Sequence, residues 1–184
     1  RSTLFPYTTL FRSRTGIQNL LDMTRLSHGA LTLRMAPVDV RDAVSEAVSR
    51  LGDLLAAREV QVNIQASLPP VRADRVLLGQ VLVNLMENAV KFSPEATPIR
   101  IEAGAEQGRV RLSVADRGAG IPSEQRHRVF DLFQRAEQGD TGVTGAGLGL
   151  SICKGFVEAM GGTIGAKEGP DGTGTQIDIE LPAS

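Results

Sequence analysis

The sequence contains few of the residues that build disulfides, metal clusters and aromatic cores. It has one cysteine, two histidines and one tyrosine, and it lacks tryptophan. The single cysteine, Cys153, excludes an internal disulfide and fits a reducing compartment such as the cytoplasm. The histidines and the cysteine are scattered along the chain, so no cluster has the ligand spacing of a zinc site.

Strong net charge and long hydrophobic runs are also missing. The formal net charge is −1, which does not fit the basic surface of a nucleic-acid-binding protein. No segment approaches the roughly 20 apolar residues that a membrane-spanning helix needs. With 41% hydrophobic residues the chain can still bury a globular core. We therefore expect a cytoplasmic domain with no nucleic-acid partner and no membrane segment in this chain.

Glycine is abundant, with 20 residues that concentrate between Gly118 and Gly174. Hydrophobic periodicity predicts helices over 14–34, 41–58, 74–92 and 148–160, and strands over 36–40, 60–64, 99–103, 110–115, 163–167 and 175–181. The polar stretch over 116–144 has the length of a functional lid. This order predicts an α+β fold: a two-layer α/β sandwich whose mixed, mostly antiparallel sheet is covered by three helices and preceded by one N-terminal helix.

The helix predicted over 74–92 carries an unusual polar row. Asn84, Asn88 and Lys91 recur on one face, whereas Phe92 belongs to the apolar stripe that faces the core. Asparagine is a poor helix former, so two of them need a reason. One reason is a satisfied polar network beneath the sheet. The other is a set of groups facing a triphosphate and its Mg²⁺, which prefers hard oxygen ligands.

Three glycine motifs follow this helix. Asp116, Gly118 and Gly120 form a turn after a strand, where the backbone can approach a flat ring closely. The second motif is Gly145, Gly147 and Gly149, and the third is Gly172, Gly174 and Thr175. The second gathers backbone N–H groups at a helix start and indicates a phosphate site. Taken singly, the first and third are also compatible with ordinary turns.

Two other phosphate-binding motifs fit the second glycine run poorly. A Rossmann fingerprint needs a preceding apolar strand and a different glycine spacing. A Walker loop needs Gly-Lys-Ser/Thr, which this run lacks.

The order of the motifs is more specific than any one of them. Asn-x-x-x-Asn, Asp-x-Gly-x-Gly, a phenylalanine pair (Phe130 and Phe133), Gly-x-Gly-x-Gly and Gly-x-Gly-Thr follow one another. This string resembles the asparagine, phenylalanine and glycine boxes of sensor histidine kinases, in the ATPase superfamily that also includes gyrase B and Hsp90. The resemblance covers 14–181. The phrases NLLDMTRL, VLLGQVLVNLMENAVKFSP and GAGLGLSICKGFVEAMGGTI are most similar to potassium-responsive, Kdp-type sensor kinases.

The resemblance implies a site for ATP and Mg²⁺. Asn88 would coordinate Mg²⁺, Lys91 would lie near a phosphate, and Asp116 would accept a hydrogen bond from the adenine amino group. The other nucleotide-binding positions it implies are Asn84, Gly118, Gly120, Ile121, Phe130, Phe133, Gly145, Gly147, Leu148, Gly149 and Thr175. The catalytic positions it implies are Asn84, Glu87, Lys91 and Arg135, the last reaching a phosphate or the recipient histidine.

Position 84 bears on the type of reaction. Hydrolysing members of the superfamily carry a glutamate where this chain has Asn84, and an amide cannot accept a proton from water near neutral pH. Transfer of the γ-phosphoryl group to a histidine, and then to a response regulator, is therefore expected. Glu87 lies beside this row and leaves ATP hydrolysis as an alternative. A degenerate domain that acts only as a protein-interaction module is a second alternative.

The resemblance also divides the chain. Residues 14–35 match the end of the second dimerisation helix, and 36–184 match the catalytic ATP-binding domain. The phosphate-accepting histidine is expected upstream, because neither His28 nor His127 is followed by the acidic residue, arginine and proline that mark it. The parent kinase is expected to be a homodimer, and an anchor in the inner membrane is left open.

The first residues, RSTLFPYTTLFRS, read differently from the rest. They contain the only tyrosine and repeat Ser-Thr-Leu-Phe as Thr-Thr-Leu-Phe. Back-translated, they fit one open frame of a widely used sequencing-adapter oligonucleotide. We expect residues 1–13 to be translated adapter rather than native sequence, and a natural repetitive arm is the alternative.

Overall fold

The computed structural model describes residues 21, 24, 25, 32–131 and 148–184. Its strands are β1 (Met35–Val38), β2 (Val60–Ile64), β3 (Val71–Asp74), β4 (Ile99–Glu106), β5 (Arg109–Ala115), β6 (Thr163–Glu168) and β7 (Thr175–Pro182). Its helices are α1 (Val40–Arg50), α2 (Gly52–Leu55), α3 (Arg75–Phe92) and α4 (Gly149–Ala159), with single 3₁₀ turns at Ser123–Gln125 and Arg128–Phe130.

Five strands form one sheet in the spatial order β2-β4-β5-β7-β6, and β1 pairs with β3 separately. β2 runs parallel to β4, while the other pairs in the sheet are antiparallel. The long antiparallel β4–β5 pair follows from the tight turn at Gln107 and Gly108, both of which have positive φ. The predicted α+β class, with a mixed and mostly antiparallel sheet, is confirmed.

Helices α1, α3 and α4 lie side by side with α3 in the middle. They share one core with the sheet, whose fully buried large side chains include Leu78, Leu82, Met86, Ile99, Ile101, Ile152, Phe156 and Ile179. The charged residues of β5, β6 and β7 do not join this core. They form ion pairs with one another, as Arg111 does with Glu180 and Lys167 with Asp178. The sheet therefore separates an apolar layer from a polar face.

The start of α3 is fixed by Asp74, the last residue of β3. Its Oδ1 accepts hydrogen bonds from the backbone N–H groups of Val76 (2.9 Å) and Leu77 (3.2 Å). Its Oδ2 accepts one from the N–H of Arg34 at 2.8 Å. One carboxylate thus caps the helix and holds the strand pair against it.

Several predicted boundaries are wrong near the N-terminus. The strand predicted over 36–40 ends at Val38, because Asp39 caps α1 by accepting from Arg41 N–H at 2.7 Å. The helix predicted over 41–58 ends at Arg50 and is followed by the short helix α2. Strand β3 was not predicted, since four residues after two prolines show too little alternation to be recognised.

The helix predicted over 14–34 lies mostly outside the described residues. Within them Leu21, Thr24 and Arg25 are helical, whereas 32–34 are not, so the predicted end of the helix at residue 34 is wrong. The segment 1–13 lies wholly outside them. In the part of the chain that the structure describes, no helix has the length and apolar character needed to cross a membrane.

The substitution Asp74→Ala should lower the free energy of unfolding by about 2 kcal/mol, because a buried cap with three hydrogen bonds is lost. The matched variant Asp39→Ala removes an exposed cap and should cost about 0.5–1 kcal/mol. Urea denaturation of both variants measures the difference. An equal or smaller loss for Asp74→Ala would contradict this role.

Candidate functional site

The polar row of α3 divides on folding, because Asn84 turns inward. Asn84 is 4% exposed, and its Nδ2 has no hydrogen-bond partner among the described residues. The amide lies close to Cys153 of α4. Burial raises the pKa of the Cys153 thiol to about 12, and the nearby Asn84 amide opposes that rise. Asn84 is therefore part of the buried contact between α3 and α4.

Asn88, one turn further along, reaches the start of α4. It is half-buried, and a Cβ placed on Gly149 would lie 3.9 Å from its Nδ2. Among the described residues, no side chain caps the first turn of α4, whose N-cap residue is the buried Leu148. Uncapped N–H groups at a helix N-terminus carry a partial positive charge and bind anions. The fold therefore places an amide next to a helix end of the kind that can bind an anion.

Lys91 and Phe92 form the exposed end of α3. The Lys91 ammonium lies 4.9 Å from the centroid of the Phe92 ring. The prediction that Phe92 joins the core is wrong, because the ring is 54% exposed. Phe92 is the last helical residue, so the apolar stripe of α3 stops one turn earlier, at Ala89. The sequence analysis therefore missed an exposed aromatic ring at this site. The position of Phe92 directly after Lys91, at the end of the helix, was the signal that could have indicated its exposure.

Glu87 lies on the side of α3 nearer α1. Burial raises the pKa of its carboxyl, and the charge of Arg50 on α1 opposes the rise. A carboxylate with a raised pKa is better suited to general-base chemistry near neutral pH than an ordinary one.

A second cluster forms where β5 ends. Asp116 is 9% exposed, and its Oδ1 accepts hydrogen bonds from the N–H of Gly118 (2.7 Å) and of Thr175 (3.3 Å). Its own N–H donates to the Thr175 carbonyl at 2.9 Å. Burial raises the pKa of the Asp116 carboxyl, while these hydrogen bonds and Arg58 lower it. The bonds that Asp116 accepts within the described structure both end on Oδ1, which leaves Oδ2 to recognise a donor.

The backbone around Asp116 is too close for side chains. A Cβ on Gly118 would lie 2.2 Å from the Phe92 carbonyl oxygen, and one on Gly174 would lie 1.9 Å from the Asp116 carbonyl oxygen. Gly120 and Gly174 also have positive φ angles, 78° and 77°, which glycine adopts without strain. The first and third glycine motifs therefore pack directly against each other, and the first also packs against the end of α3.

The segment after this turn is anchored to the core. Arg126 Nε donates to the Ile121 carbonyl at 2.9 Å. Phe130 is 6% exposed in a 3₁₀ turn that contacts α4. Residues 132–147 are not described, so the predicted roles of Phe133, Arg135, Gly145 and Gly147 lie outside the described residues.

The donor set fits a cation that is held mainly by a ligand's own oxygens. Among the described residues, no group of three His, Cys, Asp or Glu side chains is arranged to hold a metal ion. The Asn88 amide oxygen is a hard ligand, and Mg²⁺ in nucleotide sites takes few protein ligands beside phosphates and water. These residues are compatible with Mg²⁺ that arrives with a nucleotide.

A cleft of about 520 Å³ lies elsewhere, between α1 and β2, and is lined by Arg41, Val44, Ser45, Val48, Val62, Asn63 and Ile64. None of the predicted site residues lines it.

Comparison with known proteins defines the class of this chain. The profile of the "Histidine kinase-, DNA gyrase B-, and HSP90-like ATPase" family matches residues 73–184. The chain belongs to this family.

Particular relatives narrow the class. The Sensor protein KdpD of Rathayibacter rathayi is 38% identical over 168 residues, which cover 91% of this chain and 19% of that protein. The structure of full-length ShkA in complex with AMPPNP is 34% identical with a TM-score of 0.78, covering 91% of this chain and 35% of that one. The structure of the mycobacterial sensor histidine kinase MprB is 30% identical with a TM-score of 0.70. The match covers 81% of this chain and 97% of that one. The predicted resemblance to sensor histidine kinases, including Kdp-type kinases, is confirmed, and the chain spans about a fifth of the KdpD length.

The substitution Asp116→Asn tests whether the buried Asp116 carboxylate stabilises the fold. An asparagine keeps Oδ1 as the acceptor for Gly118 and Thr175 but removes a buried charge, so at pH 7 the variant should be at least as stable as the parent. Because the folded-state pKa of Asp116 is raised, the parent gains stability relative to the variant as the pH falls through that pKa. The difference in the free energy of unfolding between the variant and the parent should vanish near the ordinary aspartate pKa of about 3.9.

Urea denaturation of both proteins between pH 4 and pH 8 measures this difference. Glu87, whose pKa is also raised, is present in both proteins and cancels. A variant that is clearly less stable than the parent at pH 7 would show that the carboxylate stabilises the fold instead.

Proposed function

We propose that this chain is the ATP-binding catalytic part of a Kdp-type sensor histidine kinase. It would bind ATP with Mg²⁺ and donate the γ-phosphoryl group to a histidine on the dimerisation domain of the parent protein. A response regulator would then receive the group on an aspartate. We further propose a cytoplasmic location for this part of a homodimeric parent, with 14–35 as the end of a dimerisation helix and 36–184 as the catalytic domain.

The observation that carries this proposal is the arrangement of two recognition elements along one helix. Asn88 lies against the N-terminus of α4, whose first turn has no side-chain cap in the part of the chain that the structure describes, and such a helix end suits phosphates. Four residues later the Phe92 carbonyl contacts the Gly118 turn that orients Asp116. Four residues span about 6 Å along a helix, so a phosphate chain and a purine base of one nucleotide can engage both elements.

Each element has a distinct task in phosphoryl transfer. The α4 N-terminus and Lys91 would hold the phosphates, and Asn88 would hold the Mg²⁺ that neutralises their charge. Asp116 Oδ2 would accept from the adenine amino group, and the exposed Phe92 ring would offer an apolar surface to the base. Ile121 and Thr175 would border the base. The contributions of Phe133, Arg135, Gly145 and Gly147 remain predictions from the family resemblance.

ATP hydrolysis is a second candidate, favoured by one observation. Burial raises the pKa of Glu87 beside the polar row, as a general base requires. Against it, Asn84 is buried at the position where hydrolysing relatives carry glutamate, and Glu87 lies in the field of Arg50. Slow release of free phosphate that Glu87→Gln abolishes would support hydrolysis.

Calorimetric titration of ATP, with and without Mg²⁺, tests the proposed site. We expect Mg²⁺ to strengthen ATP binding by about tenfold, which corresponds to about 1.4 kcal/mol. Asn88→Ala should remove most of that gain and leave Mg²⁺-free binding nearly unchanged. The matched control Asn63→Ala alters an exposed asparagine on β2 and should bind like the parent.

Absence of ATP binding by a chain that is folded by circular dichroism would overturn the proposal and favour the interaction-module alternative. Transfer is tested by adding γ-labelled ATP and the separate histidine-bearing dimerisation domain of the Rathayibacter rathayi KdpD. Label on that domain is expected, and binding without any label on it would contradict the kinase assignment.

A further inference from the structure

Arg58, between α2 and β2, binds the end of α3 through a dense set of hydrogen bonds. Its Nη1 donates to Ser93 Oγ at 2.7 Å and to the Pro94 carbonyl at 3.1 Å. Its Nη2 donates to the carbonyls of Val90 and Ser93, both at 2.9 Å. All four acceptors belong to the last turn of α3 and the two residues that follow it.

This guanidinium takes the place of a conventional helix cap. The last carbonyls of a helix lack partners within the helix and are commonly satisfied by a following glycine. Here Ser93 is extended, as expected for a residue before Pro94. Ser93 Oγ donates to the Ala89 carbonyl at 2.6 Å, and Arg58 donates to the carbonyls of Val90 and Ser93. The end of α3 is therefore fixed by a residue distant in sequence.

The same helix end supports the turn that orients Asp116. Gly118 packs so closely on the Phe92 carbonyl oxygen that a Cβ would lie 2.2 Å away. The Gly118 N–H in turn holds Asp116 Oδ1 at 2.7 Å. A shift of the Phe92 carbonyl would therefore move Gly118, and with it the carboxylate.

Arg58 also acts on Asp116 through its charge, which opposes the effect of burial on the carboxyl. Two other arginines lie near this turn, but both face a different carboxylate. Arg117 is paired with Asp171, and Arg100 Nη2 lies 3.7 Å from Asp171 Oδ2.

We infer that Arg58 is a positioning residue for recognition of the adenine base. It fixes the end of α3, the Gly118 turn rests on that end, and the turn aims Asp116 Oδ2 at the 6-amino group. This inference rests on the proposed nucleotide-binding function. It assigns a specificity role to a residue outside all of the sequence motifs.

The test compares ADP with IDP, whose base carries an oxygen in place of the 6-amino group. Calorimetric titration of both, with Mg²⁺, should show that the parent prefers ADP by about tenfold or more, since a hydrogen bond to a charged acceptor is lost with IDP. Arg58→Gln should reduce that preference to less than about a third of its value while IDP affinity changes little. A purely structural role would weaken both ligands together.

Two variants control for stability and charge. Arg41→Gln removes another arginine that binds backbone carbonyls, those of Gln65 and Ala66, far from the turn. It should keep the full preference for ADP. Arg58→Lys keeps the charge without the paired hydrogen bonds and should behave like Arg58→Gln.

An unchanged ADP-to-IDP ratio in Arg58→Gln, or a full rescue by Arg58→Lys, would overturn the inference and leave the nucleotide site intact. Failure of the parent to bind either nucleotide would instead overturn the proposed function. The two failures are therefore distinguishable in one set of titrations.

Discussion

The fixing of α3 at both ends is the constraint on which the rest of the site depends. At the N-terminus the buried Asp74 carboxylate caps the helix and ties it to the β1–β3 pair. At the C-terminus Arg58 binds the carbonyls of Val90 and Ser93. Between them α3 packs against α1, α4 and the sheet. A helix held in this way can present polar groups along one edge at constant positions.

The glycine turns depend on the position of α3, because they pack backbone to backbone against its end and against each other. Gly118 rests on Phe92, and Gly174 rests on Asp116, at distances that exclude any Cβ. Hydrogen bonds from Gly118 and Thr175 then fix Oδ1 of Asp116, and within the described residues they leave Oδ2 for the proposed ligand. The carboxylate remains in a buried setting that raises its pKa, a cost in stability that would be reasonable at the recognition position proposed for it.

Much of this was readable from the sequence, because local signals and tertiary packing agree. The boundaries of α3 follow from Asp74 at its start and Pro94 after its end, and the alternation of β2, β4, β5 and β7 predicted their strands. The motif order predicted that Asn88, Asp116 and Gly149 belong to one site. In the structure Asn88 lies at the start of α4, and Asp116 is joined to the end of α3 through Gly118.

The features that could not be predicted depend on contacts between distant segments. Helical spacing places Asn84 and Asn88 on one face, but only the position of α4 shows that Asn84 is buried beside Cys153. Phe92 has core spacing yet lies beyond the covered part of the helix. Arg58 belongs to no motif, and its role depends on a loop folding back on residues more than thirty positions away.

The measurement that tests the central claim most directly is a ¹H–¹⁵N NMR titration of the chain with Mg-ADP. A single site built on α3 predicts that the largest amide shift changes fall together on Gly118, Gly149 and Thr175, while Gly165 on β6 stays unchanged. Changes confined to Val44, Val62 and their neighbours in the cleft between α1 and β2 would contradict the account. They would place the nucleotide between α1 and β2, away from the residues of the polar row.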